Sequence, residues 1–552
     1  MESTARAGLI LAFALAASAP RAQVMQTPEG PFGPEGETEL VYYDAVEADG
    51  SLSGGVTRLP AIDGKAVSTR LPAPVVTLNA ADGPPPGNRV DMVFVGDGYT
   101  AAQLGAYASH VAAQVNGFFQ EEPFATYENY FQVHRVDVVS AQSGVDNDPN
   151  QGVSKDTALD MGFWCGGIER LLCVNVTKAY NFANNAPDVD VVVAVANSNK
   201  YGGAGYSSND LATVSGNTGS ATEILIHEMG HGFGDLADEY DYEDGATYNG
   251  SEPSEHNISI LNSSQMATAG TKWSNWLGET FPGIGGLIST FEGAFYNQFG
   301  VYRPSSNSIM RTLGRPFNMV SVERLVILTY HTVNPIDQSS DTGLVHDADD
   351  VLFVVPMQPV GHDLDVQWAL DGGDVPGATA TSLDLATLAL SAGPHTVSVT
   401  VVDNTPWVRD QAARDVWMTE TLDFTVQVSN PWQDLGNGLA GTHGIPDLRG
   451  DGTLLPGQLA TLSLTNALEN GSATLVLGFS NLSAPFKFGV LVPNPDILSV
   501  SLPVDALGTL VFSSPWPSGI PSGLETFWQY WIPDPAGPVN FAASNALKGT
   551  QP

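Results

Sequence analysis

Apolar and polar residues alternate in patterns that change twice along the chain. Up to about residue 87, the sequence is rich in proline and glycine and contains the strand-like segments TELVYYDAV and PAPVVTLNA. From Arg89, the buried-strand pattern RVDMVFVGDGYT precedes AAQLGAYASHVAAQVNGFF, which has helical periodicity, and the strands YFQVHRVDVVSA and VDVVVAVAN follow. Strands and helices alternate up to about Tyr330, which predicts an α/β or α+β domain.

After VNPIDQSS, the pattern is that of strands alone. The alternating segments VLFVVPMQP, LDVQWALDG, PHTVSVTVVD and ETLDFTVQVS predict an immunoglobulin-like β-sandwich. A second set of strands, GQLATLSLTNA, SATLVLGFS and GTLVFSSPWP, follows the linker NPWQDLGNG. The predicted fold class is therefore multidomain, an α/β (α+β) domain flanked by all-β domains. The boundaries are an N-terminal β unit with its linker at 23–87, the α/β domain at 88–335, the sandwich at 336–430 and a β-rich accessory module at 431–552.

The first 22 residues have the pattern of a secretory signal peptide. Arg6 precedes the apolar run AGLILAFALAASA, and small residues follow. We expect cleavage after Ala22 rather than Ala19, because Pro20 adjoins the first site. The run is too short for a stable membrane anchor, and no later segment is long and apolar enough. We therefore expect a secreted protein with no transmembrane segment; association with the cell surface stays open.

The chain of 552 residues is too long for one ordinary core, and it is strongly acidic. It has 60 acidic and 21 basic residues, a formal net charge of −39. This charge argues against a nucleic acid partner, because phosphate binding requires Lys and Arg. The simplest interpretation is a solvated surface; the alternative is structural Ca²⁺ held by some carboxylates.

The two cysteines lie close together in the segment FWCGGIERLLCVN. In an exported protein, Cys165 and Cys173 are most simply joined in a disulfide that closes a short loop. The alternative, a two-cysteine metal site, lacks partners at zinc-ribbon spacing.

One segment, ATEILIHEMGHGFGDLADEY at 221–240, carries the candidate chemistry. Ser220 and Glu223 have the spacing of a capping box, which predicts a helix starting just before Ile224. The buried stripe of that helix would consist of residues four apart, Leu225, Met229 and Phe233.

The histidines of this helix have the spacing of metal ligands. His227 and His231 are four residues apart, so both rings project from one face and reach one ion. Glu228 lies beside that ion, where it can take a proton from water, as in zinc peptidases with the H-E-x-x-H motif. The alternative is an amphipathic helix that merely carries two histidines.

A catalytic zinc needs a third protein ligand and an open position for water. We expect a turn near Gly234 to bring an acidic residue back to the metal. Asp238 is the first candidate, Glu239 the second and Asp235 the third. The carboxylates that are not ligands would hydrogen-bond the histidines or bind calcium.

Residues outside this segment complete the predicted site. The segment DVDVVVAVANSNKYGGAGYSS predicts an edge strand and a glycine-rich rim that would bind an extended substrate by strand addition. Tyr240 and Tyr242 are candidates for helping the metal to stabilise an oxyanion.

Five separated motifs resemble the IgA-peptidase family of secreted bacterial metallopeptidases. They are VDMVFVGDGYTAAQL, EEPFATYENYFQVHRVDVVSAQSGVDN, FWCGGIERLLCVN, ATEILIHEMGHGFGDLADEY and NSIMRTLG, and the resemblance covers about Arg89 to Tyr330. The resemblance implies a metzincin-like zinc endopeptidase and supports Asp238 as third ligand. Met310 resembles the Met-turn that underlies the metal in metzincins, a structural floor rather than a ligand. The sequence departs from many relatives in the order Gly234-Asp235.

These observations predict a secreted zinc metalloendopeptidase that hydrolyses peptide bonds in protein or peptide substrates. Glu228 would be the general base. The alternative function is a surface adhesin or binding protein with an inactive peptidase-like domain, which the β modules would suit. The substrate and the oligomeric state stay open.

Overall fold

A computed structural model describes residues 38–46, 52–78, 87–388 and 390–552. The predicted signal peptide at 1–22 lies outside them. The chain forms two compact units. The first comprises the described residues up to Val333 together with Gln358–Asp363 and Thr405–Trp417; the second comprises Asn334–Met357, Leu364–Asn404 and Met418–Pro552. No described helix has both the length and the apolar character required to cross a membrane.

The first unit contains the α-helices and a large sheet. Its strands are β1 (Thr38–Val46), β2 (Leu52–Pro60), β3 (Val75–Thr77), β4 (Val90–Asp97), β5 (Phe131–Val136), β6 (Val191–Ala196), β7 (Gly203–Tyr206), β8 (Leu211–Ser215), β9 (Thr280–Phe281), β10 (Gly286–Leu287), β11 (Phe291–Ala294) and β12 (Asn297–Arg303). Its helices are α1 (Leu104–Phe118), α2 (Val176–Ala183), α3 (Ala221–Gly232), α4 (Ser263–Ala269), α5 (Met319–Thr332) and α6 (Gln411–Trp417).

Eight strands form one mixed sheet in the order β2-β1-β7-β8-β6-β4-β5-β3. The pairs β8–β6, β6–β4 and β4–β5 are parallel, and the outer pairs are antiparallel. Every residue of β4 and β6 is buried, as expected of parallel strands covered on both faces. Helix α3 packs on β7 and β8 and contacts α1, whereas α2 packs on β4 and β6.

The strands of the predicted N-terminal β unit belong to this sheet. β1 pairs with β7 through Val41–Tyr206 and Tyr42–Gly205, and β3 pairs with β5 at the opposite end. The connection between β2 and β3 therefore runs from one end of the sheet to the other.

Two other expectations concern this unit. The predicted disulfide between Cys165 and Cys173 is present. The prediction that VDVVVAVAN is an edge strand is wrong, because β6 lies between β8 and β4.

The second unit is built from strands. Those of the predicted sandwich region are β13 (Ile336–Ser339), β14 (Val345–His346), β15 (Val351–Pro356), β16 (Asp365–Leu370), β17 (Gly373–Asp374), β18 (Ser382–Asp384), β19 (Gly393–Val402) and β20 (Thr419–Val428). They form the sheets β13-β15-β18 and β14-β20-β19-β16-β17. Residues of β15 are alternately exposed and buried, as the period-two pattern predicts.

The remaining strands of the second unit are β21 (Trp432–Gly436), β22 (Asp447–Asp451), β23 (Leu459–Thr465), β24 (Ser472–Gly478), β25 (Asn481–Phe486), β26 (Gly489–Pro493), β27 (Ile497–Pro503), β28 (Leu510–Pro515), β29 (Glu525–Pro533), β30 (Phe541–Ala543) and β31 (Ala546–Thr550). They form the sheets β21-β31-β29-β24-β27, with β30 on β29, and β22-β23-β28, and the hairpin β25-β26. The aromatic side chains of Trp432, Trp528 and Tyr530 lie in their common core.

Candidate metal centre

Helix α3 carries the candidate histidines, but it starts differently from the prediction. It begins at Ala221, and the Ser220 side chain makes no capping hydrogen bond, so the predicted capping box is wrong. The Glu223 carboxylate instead accepts a hydrogen bond from the backbone N–H of Gly314 at 2.9 Å. All residues from Ile224 to Gly232 are buried, so the helix is enclosed on all sides and not only along one apolar stripe.

Two backbone carbonyl groups orient the two imidazoles. Nδ1 of His227 lies 3.0 Å from the carbonyl oxygen of Ile309, and Nδ1 of His231 lies 2.7 Å from that of Leu236. A carbonyl oxygen only accepts, so each ring holds its proton on Nδ1 and presents the lone pair of Nε2. The two Nε2 atoms face each other at 3.1 Å. Two lone pairs this close repel each other unless a cation lies between them.

The turn after α3 brings Asp238 to these nitrogens. A side chain at Gly234 would put its Cβ 2.5 Å from the carbonyl oxygen of Gly230, so the turn requires glycine there. Oδ1 of Asp238 lies 3.3 Å from Nε2 of His227 and 3.4 Å from Nε2 of His231. Its Oδ2 accepts a hydrogen bond from the Tyr296 hydroxyl at 2.5 Å, which fixes the carboxylate.

A fourth candidate ligand, Asp44, was not predicted from the sequence. It lies on β1, and its Oδ2 is 2.7 Å from Nε2 of His227. Its Oδ1 accepts a hydrogen bond from the Tyr240 hydroxyl at 2.8 Å. One ligand atom each from Asp44, His227, His231 and Asp238 lies within 4.8 Å of the other three. The one available signal in the sequence was an aspartate within the largely apolar segment LVYYDAV.

This set of donor atoms fits a zinc ion. Ligands at about 2.0–2.1 Å in tetrahedral directions are about 3.3 Å apart, close to the 3.1, 3.3 and 3.4 Å that separate Nε2 of His227, Nε2 of His231 and Oδ1 of Asp238. Two imidazole nitrogens and carboxylate oxygens are also donors that zinc accepts. In addition, Oδ2 of Asp44 and Oδ1 of Asp238 are buried and have no hydrogen-bond partner among the described residues. Unpaired anionic oxygens of this kind are costly in a protein interior unless a cation balances them.

The electrostatic field at the site favours a cation. Burial alone would lower the pKa of His227, but the carboxylates of Asp44 and Asp238 raise that pKa well above its usual value. Burial raises the pKa of Glu228 well above its usual range, and the charges of Asp44 and Asp238 add to the effect. A bound cation would oppose that rise by stabilising the Glu228 carboxylate.

Glu228 lies beside the metal group, and no described hydrogen-bond donor reaches its carboxylate. Both of its carboxylate oxygens are buried and unpaired within the described part of the chain. Strand β7 approaches them closely through glycine, because a Cβ at Gly203 would lie 2.9 Å from Oε1 and one at Gly205 3.2 Å from Oε2. The glycine-rich segment that the sequence predicted as a rim is therefore where strand and helix pack together.

Glu239, the second candidate ligand, points away from the metal group. Its Oε1 accepts hydrogen bonds from Asn257 and Asn318, and its Oε2 accepts one from Ser308 at 2.7 Å. Its backbone N–H donates to the carbonyl oxygen of Met310 at 2.8 Å. These bonds tie the turn that carries Asp238 to the segment around Met310.

Met310 lies directly against the metal helix. A Cβ at Gly230 would be 2.6 Å from its sulfur, so a side chain there would force Met310 to shift. Asp235, the third candidate ligand, lies outside the metal group, and its half-exposed carboxylate pairs with Arg324 at 2.9 Å. Tyr242 hydrogen-bonds the backbone of Gly54.

The described residues contain no second group of three or more converging metal-type side chains. The predicted structural calcium therefore has no support from this part of the chain.

The fold and the site together define a mixed α/β domain in which a buried helix carries side chains that can bind a metal ion. Residues 78–284 match the family model described as IgA Peptidase M64. The match confirms, for this part of the chain, the family resemblance drawn from the motifs. The match supports a peptidase, a hydrolase of peptide bonds, in this part of the chain. A comparison with curated proteins found no match.

Proposed function

We propose that this protein is a secreted, zinc-dependent metalloendopeptidase of metzincin-like architecture. One observation carries the proposal. The Nε2 atoms of His227 and His231 and Oδ1 of Asp238 converge beside the unpaired carboxylate of Glu228. Met310 beneath the metal helix supports the metzincin-like architecture. The signal-peptide pattern supports export.

In this proposal, His227, His231 and Asp238 hold the zinc ion. When bound, zinc supplies a Lewis acid that polarises the scissile carbonyl group and lowers the pKa of water. Glu228 accepts the proton of the attacking water and then donates it to the leaving amine. The hydrogen bonds that fix Nδ1 of both histidines keep their Nε2 lone pairs aimed at the ion.

A substrate would bind in extended form alongside β7. This short strand packs on the metal helix. One of its edges pairs with β8, so the substrate would pair with the opposite edge. Backbone hydrogen bonds to such an edge hold a peptide without strict requirements on its sequence. The substrates are therefore proteins or peptides, and cleavage preference comes from the side-chain pockets along the strand.

The test compares the wild type with Glu228→Gln, a change that keeps the size of the side chain and removes the base. Both proteins should bind about one zinc per chain, measured by inductively coupled plasma mass spectrometry. Only the wild type should cleave unfolded casein, and we expect a loss of at least about a hundredfold in the variant. The assay uses each protein intact and after the connection between β2 and β3 has been cut. Absence of zinc from both proteins, or equal cleavage by both, would contradict the proposal.

A further inference from the structure

We propose that the hairpin formed by β1 and β2 is an inhibitory segment that holds the enzyme latent until it is removed. We call residues 38–60 the inhibitory hairpin. The inference rests on the proposed function, because it assigns a regulator to the same metal site.

The first argument is the number of ligands. A catalytic zinc has three protein ligands and keeps one position open, whereas a site closed by four protein ligands is of the structural kind. With Asp44, the site has four protein donors, all of them buried. Oδ2 of Asp44 lies closer to Nε2 of His227 than Oδ1 of Asp238 does, at 2.7 Å against 3.3 Å. Asp44 therefore occupies the position that the attacking water needs.

The second argument is the place of β1 in the sheet. β1 pairs antiparallel with β7, so it covers the edge along which an extended substrate would bind. The Tyr42 ring also stacks on the imidazole of His231, with centroids 4.1 Å apart and planes at 9°. One strand thus blocks both the metal and the peptide-binding edge, as a bound substrate would. Unlike a substrate, it places a carboxylate rather than a peptide carbonyl group at the metal.

Two tyrosines of the catalytic domain fasten the hairpin. Tyr240 donates its hydroxyl to Oδ1 of Asp44, and the Tyr242 hydroxyl bonds to the backbone of Gly54 at 3.0 Å. A Cβ at Gly54 would lie 2.7 Å from the Tyr240 hydroxyl oxygen, so the hairpin fits these side chains closely. When the hairpin leaves, the Tyr240 hydroxyl is freed beside the metal, where it can donate to the oxyanion of the substrate.

The connection that follows β2 provides a route of release. Most residues from Ala61 to Pro72 are exposed, among them Lys65 and Arg70. A second protease that hydrolyses one peptide bond there would separate the hairpin from the rest of the catalytic domain. The hairpin would then be held by noncovalent contacts alone.

The first experiment measures whether Asp44 fills the open position. The full chain is loaded with Co²⁺, and acetohydroxamate, a small chelating ligand, is titrated while the visible spectrum of the cobalt is recorded. We expect Asp44→Ala to bind acetohydroxamate at least about tenfold more tightly than the wild type, because affinity scales with the fraction of open sites. The matched control is Asp63→Ala, which removes an exposed carboxylate just after the hairpin and should bind like the wild type. Equal affinity in all three proteins would overturn the proposal.

The second experiment removes the hairpin without substituting any residue of the metal site. A recognition sequence for a site-specific protease is inserted after Arg70, and the released fragment is removed by gel filtration. We expect the cut chain to cleave casein at least about tenfold faster than the uncut chain and to bind acetohydroxamate more tightly. The same insertion in Glu228→Gln is the control and should stay inactive after the cut.

The outcomes separate the two proposals. An uncut chain that already cleaves casein as fast as the cut chain would overturn the latency proposal and leave the peptidase proposal intact. A cut chain that binds neither zinc nor acetohydroxamate would instead overturn the proposed function, and the latency proposal with it.

Discussion

Asp238 is the residue that distinguishes the proposed zinc site from a helix that merely carries two histidines. The turn after the helix brings its carboxylate back to the two imidazoles, where it would be the third ligand. We expect Asp238→Asn to lower zinc affinity by at least about a hundredfold, since the amide keeps the shape but loses the charge. Competition with a chelator of known affinity measures the change. The matched control is Asp235→Asn, because Asp235 forms only a half-exposed ion pair with Arg324. Its zinc affinity should equal that of the wild type. Wild-type affinity in Asp238→Asn would show that Asp238 is not a ligand.

The residues of the site that could be predicted are those that lie close to one another in the sequence. His227, Glu228 and His231 share one helix, so their spacing alone places them together. Asp238 follows after one turn and was the first of three candidates. Asp44 lies 183 residues before His227, and it reaches the site only because β1 pairs with β7. No periodicity in the sequence encodes that pairing.

The packing of β7 against α3 is the element-scale feature on which the site depends. A Cβ at Gly205 would lie 2.7 Å from Cβ of His231 and 3.1 Å from the carbonyl oxygen of Glu228. We expect Gly205→Ala to push the strand and the helix apart, with a cost of about 1–3 kcal/mol in the free energy of unfolding. Zinc affinity should fall in the same variant. Denaturant unfolding and chelator competition measure the two effects.

Gly105→Ala is the control for that prediction. Gly105 is exposed on α1, and a Cβ there would meet no atom within 4 Å. This alanine should stabilise the protein by about 0.5–1 kcal/mol, because it lowers the flexibility of the unfolded chain and suits a helix. If Gly205→Ala were as stable as the wild type, the close approach of β7 to α3 would not be required.

The sequence predicted the existence and type of the long elements better than their neighbours in the sheet. The apolar run of β6 was recognised as a strand, but its place between β8 and β4 was not, because order in a sheet depends on pairing between distant segments. The capping box failed for a similar reason, since Glu223 bonds to Gly314 instead of to the start of its own helix.

At the scale of the whole molecule, the first compact unit includes segments that follow the predicted boundary at residue 335. Residues 358–363 and 405–417 also belong to it. The buried Glu323 on α5 shows how one of these segments is bound to the rest of the unit. It accepts hydrogen bonds from Trp276, from the backbone N–H of Arg409 at 2.6 Å and from that of Asp410 at 3.0 Å. The boundary could not be found from strand patterns, because these returning segments contain no strand.

This organisation predicts different effects of two truncations. Truncation after residue 335 removes two hydrogen-bond donors of the buried Glu323 carboxylate. Each lost bond should lower the free energy of unfolding by about 1–3 kcal/mol. We expect the first unit of this truncated chain to unfold at least about 5 °C below that of a chain of residues 1–430, which keeps both segments. Differential scanning calorimetry measures both transitions. Equal transition temperatures would show that the returning segments add nothing to the stability of the first unit.

The most direct test of the central claim is X-ray absorption spectroscopy at the zinc edge of the full, zinc-loaded chain. The account predicts two imidazole nitrogens and carboxylate oxygen at about 2.0–2.2 Å, with no sulfur ligand. In His227→Ala with His231→Ala, bound zinc should be lost. A zinc environment without imidazole, or full zinc content in the double variant, would show that the histidines of α3 do not hold the metal.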